Sequence, residues 1–160
     1  MAADKTDLTF LPSILDRLVD PASQGTSQRP WYGLREMTAA IGRDLDALLN
    51  TRKTDQGLFD DYDELKSSLL SYGFPDIVSA AASSLTEIQR LGQAIKQAIE
   101  RTEPRVCNVR VVPVEPDVQE RRSVRFRVEG ALRVPEAPDI AFTTMVELVT
   151  GHQTVRAVES

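Results

Sequence analysis

Thr102-Glu103-Pro104-Arg105 marks the point where the hydrophobic period of the chain changes. Upstream of it, apolar residues recur with helical spacing; downstream, they alternate. A long helix therefore ends at this tetrapeptide and a sheet begins. Pro104 accounts for the stop, because its ring disfavours helical backbone at Glu103 and it carries no backbone N–H. Glu103 and Arg105 flank the one residue with a locked φ, so opposite charges project from a stiff joint. Taken alone, Glu-Pro-Arg reads most simply as a helix terminus with a solvated ion pair, contributing about 0–1 kcal/mol.

Working back from the corner, Leu85, Ile88, Leu91, Ile95, Ala98 and Ile99 predict a helix from Ser84 to Arg101 with one apolar face. Gly92 lies within it and costs about 1 kcal/mol relative to alanine unless something packs close there. Ser71-Tyr72-Gly73-Phe74-Pro75-Asp76 reads as a tight turn, with Gly73 free to take positive φ and Asp76 placed to cap the next segment. Ahead of it, Asp60, Asp61, Asp63 and Glu64 gather at the start of a short helix predicted from Glu64 to Leu70. Leu34, Met37, Ile41, Leu45, Leu48 and Leu49 form a further helical stripe, closed by Asn50-Thr51-Arg52-Lys53 with cations where the helix dipole favours them. Pro12-Ser13 opens a short helix with Ile14, Leu15, Leu18 and Val19 on one side, ended by Asp20-Pro21. Residues 21–30 are rich in Pro, Gly and Ser and read as a flexible tether, so the first helix can dock on the body or on a partner.

Downstream of the corner, Val106 to Val114 reads as a first strand, stopped by Pro113 and Pro116. The second strand has the cleanest alternation. Val124, Phe126, Val128, Leu132 and Val134 share one face, and Arg125, Arg127, Glu129 and Arg133 the other. Gly130 marks a bulge or a close backbone approach. Ile140, Phe142, Thr144, Val146 and Leu148 predict a third strand, and Thr154 to Val158 a short fourth at an edge. The fold class is α+β: N-terminal helices packed on a small C-terminal, mostly antiparallel sheet of three to four strands. Residues 1–30 form an arm, with a short helix and a linker, and residues 31–160 the main domain.

The net charge of −5 is unevenly spread, and residues 101–135 carry eight arginines, no lysine and five acids. Arginine is favoured where planar hydrogen bonding to carboxylate or phosphate is needed. The chain is net acidic and no aromatic residues alternate with those arginines to stack bases, which argues against nucleic acid as the partner. An acidic protein surface suits Arg125 and Arg127 better. Cys107 and His152 are the only cysteine and histidine, so neither an internal disulfide nor a Cys/His metal site is available to them. Cys107 reads as packed. No phosphate-binding glycine loop and no nucleophile elbow occurs. No apolar run is long enough to span a membrane, and the first residues lack the pattern of a signal peptide, so a cytoplasmic protein without cofactor, metal or direct membrane insertion is expected. A mobile arm and an unmatched edge strand suit strand addition by a partner.

Three blocks, in order, carry a resemblance. The first is Ser13-Ile14-Leu15-Asp16-Arg17-Leu18. The second is Arg43-Asp44-Leu45 running into Leu48-Leu49-Asn50-Thr51-Arg52. The third is Ser71-Tyr72-Gly73-Phe74-Pro75-Asp76 and the helix into Glu103-Pro104-Arg105. Together they resemble the TssE baseplate subunits of type VI secretion systems, within the wider family of contractile-phage baseplate wedge proteins. Thr102 stands where that family usually has an aromatic residue, Val106 where leucine is usual, and Phe74 where leucine is commoner. The resemblance implies a structural, non-enzymatic role in the baseplate wedge beside TssF and TssG, with TssK a further candidate neighbour. It also implies a part in starting the contractile sheath of TssB and TssC, whose subunits interlock by exchanging strands. By the same resemblance Glu103 and Arg105 are the contact residues and Pro104 stiffens them.

Two alternatives of a different class arise from the residues. A peptidoglycan hydrolase of lysozyme type would use the acids at 60–64, above all Asp61 and Glu64. A nucleic-acid binder would use Arg121, Arg122, Arg125 and Arg127. A wedge subunit of another phage-tail-like injector shares the main reading except for the system it serves.

Overall fold

A computed structural model describes residues 9–19, 31–53, 61–66, 68–75, 84–114, 123–134, 139–147 and 153–158. Its contacts divide the chain into two units, Met1–Ile41 and Gly42–Ser160. The tether expected at residues 21–30 lies outside the described residues.

In the first unit, helix α1 spans Ile14–Val19. Ser13 accepts a hydrogen bond from the Asp16 backbone N–H (3.1 Å) and its hydroxyl donates to the Asp16 carboxylate (2.7 Å). This small cap turns Asp16 inward, and it is only 7% exposed. The expected apolar side exists, but it faces out: Ile14, Leu15 and Leu18 are all exposed. Phe10 and Tyr32 exchange two backbone hydrogen bonds (2.8 and 2.9 Å), which close the arm into a loop and hold Phe10 buried. Helix α2, Leu34–Asn50, starts with the Gly33 N–H donating to the Glu36 carboxylate at 2.6 Å, half of a capping box. Met37, Ala40 and Ile41 are buried along its first turns.

The second unit begins within α2. Leu45, Leu48 and Leu49 continue the buried stripe. The helix has no cation in its last turn. Arg52 instead joins an isolated bridge with Phe74: the Phe74 N–H donates to Thr51 O (2.7 Å) and the Lys53 N–H to Phe74 O (2.9 Å). Between those bonds Gly73 takes φ +107°, as expected, and a Cβ there would lie 2.5 Å from Thr51 O. The single short helix expected over 64–70 is two pieces, α3 at Asp63–Lys66 and a 3-10 turn at Leu69–Ser71. Asp76 and residues 79–83 lie outside the described residues.

Helix α4, Leu85–Thr102, opens on a full capping box between Ser84 and Glu87. Leu91, Ile95, Ala98 and Ile99 are buried, whereas Leu85, in the first turn, is exposed. Gly92 does have a close neighbour, since a Cβ there would lie 3.3 Å from the Phe126 ring.

Four antiparallel strands complete the unit in the spatial order β1-β2-β3-β4: Val106–Val114, Ser123–Leu132, Asp139–Glu147 and Gln153–Val158. Pro113 does not stop β1 but sits inside it, which an edge strand tolerates. Phe126, Val128 and Leu132 are buried and Arg127 is exposed, as the alternation predicts. Val134 departs from that pattern: β2 ends at Leu132, the chain bends, and Val134 is exposed. Gly130 is a close approach, with Val106 Cγ1 at 2.7 Å from a Cβ built there. The irregularity itself is on the partner strand, between Cys107 and Arg110, where Asn108 takes φ 56°. α4 lies against β1, and Phe126 and Phe142 are fully buried. Among the described residues no helix is long and apolar enough to cross a membrane.

Candidate functional site at the Glu-Pro-Arg corner

The end of α4 is fixed by its own backbone before any side chain acts. The Glu103 N–H donates to Ile99 O (2.8 Å), which makes Glu103 the C-cap. Three residues on, the Val106 N–H donates to Glu103 O at 3.3 Å and β1 starts. The Arg133 N–H donates to Arg105 O (2.8 Å), tying the corner to the far end of β2.

On this frame the side chains do not form a solvated pair. Glu103 is 5% exposed. Its Oε1 accepts from Arg105 Nε at 2.7 Å and from the Arg105 backbone N–H at 3.1 Å, and its Oε2 accepts from Nη2 at 2.5 Å. The second Nη2 contact is with Asp44 Oδ2 on α2, at 2.6 Å. Asp44 Oδ1 in turn accepts from Arg43 Nε and Nη2 (3.2 and 2.9 Å). The result is a chain of alternating charges, Arg43–Asp44–Arg105–Glu103, which runs from the surface of α2 to a buried carboxylate. Arg105 Nη1 is buried and makes no hydrogen bond among the described residues. The bidentate bond from Glu103, with help from Asp44, outweighs burial and holds the guanidinium above its ordinary pKa.

The turn at 71–75 completes the site. Arg101 Nη2 donates to Ser71 O at 3.0 Å, so the last turn of α4 holds the tight turn in place. The Tyr72 hydroxyl titrates above its ordinary value because burial, then the charges of Asp44 and Glu103, disfavour the phenolate. The second and third sequence blocks thus meet at one place. Sequence reasoning named Glu103, Pro104 and Arg105 but missed Asp44, the helix residue that shares the arginine. Its signal was the Arg43-Asp44-Leu45 run, which carried no assigned partner.

Arg125 and Arg127 are not part of this site. They lie toward the opposite end of β2, where Arg127 is exposed and pairs with Glu129 (2.9 Å) while Arg125 is partly buried. Arg121, Arg122, Asp60 and His152 lie outside the described residues. Asp61, Asp63 and Glu64 are exposed around the start of α3. Cys107 is partly buried, with its thiol 3.4 Å from Ala131 O across the ladder.

A family model described as baseplate wedge protein gp25 matches residues 35–137, a span that holds all of α2 except Leu34, the turn, α4, the corner, β1 and β2. The chain belongs to that baseplate wedge family. It is accordingly a structural component of a contractile baseplate, and the corner network sits wholly within the matched residues. No curated protein and no solved structure matches the chain.

Proposed function

We propose that the chain serves a type VI secretion system as its TssE-type wedge subunit, in the cytoplasm, joining TssF and TssG and helping the TssB–TssC sheath to start. The observation that carries this reading is the family match over residues 35–137, with the Glu-Pro-Arg corner inside it built as a hydrogen-bonded charge network. Its geometry divides the labour among the residues. Glu103 is turned inward and consumed by Arg105, so it positions rather than touches a partner. Pro104 is exposed and stiff, and Arg105, Asp44 and Arg43 present the outward part of the charge chain. Arg125 and Arg127 belong to a separate contact surface on the sheet. No enzymatic step is needed for this role, and the exposed acids around α3 serve the helix start.

The test is co-purification. Glu103→Ala and Arg105→Ala are expected to remain folded by circular dichroism yet to recover TssF and TssG poorly. Wild-type recovery with both variants would remove the corner from the wedge contact.

A further inference from the structure

The two faces of the sheet differ in what covers them. On one, α4 packs on β1 with Gly92 set against Phe126 and Val111, and the second half of α2 brings Gly42 to the Phe142 ring. α2 reaches β4 as well, where the Val155 N–H donates to Asp46 Oδ1 at 3.1 Å. Successive N–H groups of a strand point to opposite sides, so the Gln153, Val155 and Ala157 amides point away from β3 and those of Thr154 and Arg156 toward it. The other face is read from register, because directly opposed residues share a face. One row runs Val112–Arg127–Thr143–Arg156 across all four strands. Val114 and Arg125 are opposed on one side of that row, Arg110 and Glu129 on the other. Arg110, Arg127 and Arg156 are exposed, and Arg125 is partly buried. Arg127 holds Glu129 at 2.9 Å, whereas Arg110 and Arg156 make no ion pair among the described residues. Val112 and Val114 are 50% and 40% exposed, so the β1 end of the face also shows bare apolar surface.

We infer that this arginine-bearing face is the docking surface for an acidic amphipathic helix of a partner protein, laid across the strands. The inference rests on the reading of Arg125 and Arg127 as a separate contact surface of the wedge subunit, and adds the form and charge of what binds there. A sheet face is covered by a packed layer, and helices already cover the opposite face of this sheet. Charge complementarity selects acids: four arginines stand against Glu129 on this face, although the chain as a whole is net −5. The spacing of those acids follows from the sheet. Arg127 and Arg156 are two strands apart in one row, about 10 Å. A helix rises about 10.5 Å in seven residues, so acids two turns apart meet both arginines. Val112 lies one strand before Arg127, about 5 Å, and an apolar residue one turn ahead of the first acid covers it. Nucleic acid fits less well, because no aromatic residue stands in these rows to stack a base and the exposed valines offer nothing to phosphate.

The test uses the full chain and a stapled, fluorescein-labelled, alanine-based helical peptide. It carries two glutamates two turns apart and a leucine one turn ahead of the first. One control helix has glutamine for both glutamates, and another has the second glutamate moved to the opposite side of the helix. The glutamate helix is expected to bind, to weaken as salt is added, and to shift the resonances of Val112, Arg127 and Arg156. Arg156→Gln should weaken binding about 2- to 5-fold, the range of a half-exposed ion pair. Arg127→Gln should weaken it more, because it also releases Glu129 to repel the incoming acid. Arg90→Gln, an exposed arginine on α4, should change nothing. Absence of saturable binding, equal binding of either control helix, shifts centred on α4, or unchanged affinity in Arg127→Gln or Arg156→Gln would each overturn the inference. Tighter binding of a single-stranded oligonucleotide than of the glutamate helix would overturn it in favour of nucleic acid. The wedge reading is judged separately, by recovery of TssF and TssG with the corner variants, so the two can fail independently.

Discussion

Glu103 illustrates how a charged residue next to a proline comes to be buried. As the C-cap of α4 it is held by the Ile99 carbonyl, and its carboxylate is fully used by Arg105. Removing it leaves Arg105 with Asp44 alone. A hydrogen bond to a charged group is worth about 1.5–3 kcal/mol, and the larger losses of fully buried pairs do not apply because Arg105 and Asp44 keep some exposure. Urea unfolding of Glu103→Ala should therefore show a loss of about 2 kcal/mol, and Asp44→Ala a smaller one of about 1 kcal/mol, since Asp44 is the more exposed partner. A cycle combining Asp44→Ala with Glu103→Ala should be non-additive, because both acids share Nη2. Gly73 offers a second check. Alanine there must hold positive φ and push against Thr51 O, so Gly73→Ala should cost at least 2–3 kcal/mol, roughly the upper end for local backbone strain, read as a lower urea midpoint. Pro104 as a stop and Gly73 as a left-handed turn were legible in the residues themselves. The Asp44–Arg105 pair was not, because its partners are 61 positions apart and meet only once α2 and the corner are placed.

At the scale of elements, period carried the reading. α2, α4 and β2 fall where three- and four-step or two-step spacing puts them, since burial of one face decides each, and β1, β3 and β4 lie within a residue of their expected bounds. Period says which residues share a face but not where that face points. Hence α1 kept its apolar side and turned it outward, once the Ser13–Asp16 cap drew the acid in. The bulge opposite Gly130 was equally silent, because Asn108 takes positive φ without a glycine to announce it. The α4–sheet contact yields a prediction in which two effects compete. Gly92→Ala gains about 1 kcal/mol of helix propensity, but its methyl presses on the Phe126 ring, and overpacking costs about 1–3 kcal/mol. The net is expected near zero or slightly destabilising. Gly92→Val keeps the crowding, loses most of the propensity gain, and should lower the melting temperature clearly. Strand β4 provides another: in amide exchange Thr154 and Arg156 should be protected by β3, Gln153 and Ala157 should exchange fast, and Val155 should fall between and become fast in Asp46→Ala.

For the molecule as a whole, alkaline pH tests whether the corner and the turn unfold with the rest of the chain. Tyr72 sits near Asp44 and Glu103, and burial and those two charges hold its proton on past the ordinary tyrosine value. In the unfolded chain the same phenol releases its proton at about pH 10. Between that pH and the higher folded value, the folded protein binds more protons than the unfolded one, so unfolding free energy falls as pH rises. The contribution is fully present below about pH 10 and is lost as pH climbs through the folded pKa. Other tyrosines and the lysines titrate in the same window, so the wild-type curve alone does not isolate Tyr72. Tyr72→Phe does, because it keeps the ring and removes the ionisation. The difference between wild-type and Tyr72→Phe urea midpoints should be flat from neutral pH to about pH 9.5 and then shift steadily in favour of the phenylalanine variant. The same difference measured in Glu103→Ala should shift less, because one of the two carboxylates opposing the phenolate is gone. A pH-independent difference would mean that the phenol is not held against those carboxylates in the folded protein, and that the turn at 71–75 does not close over the corner.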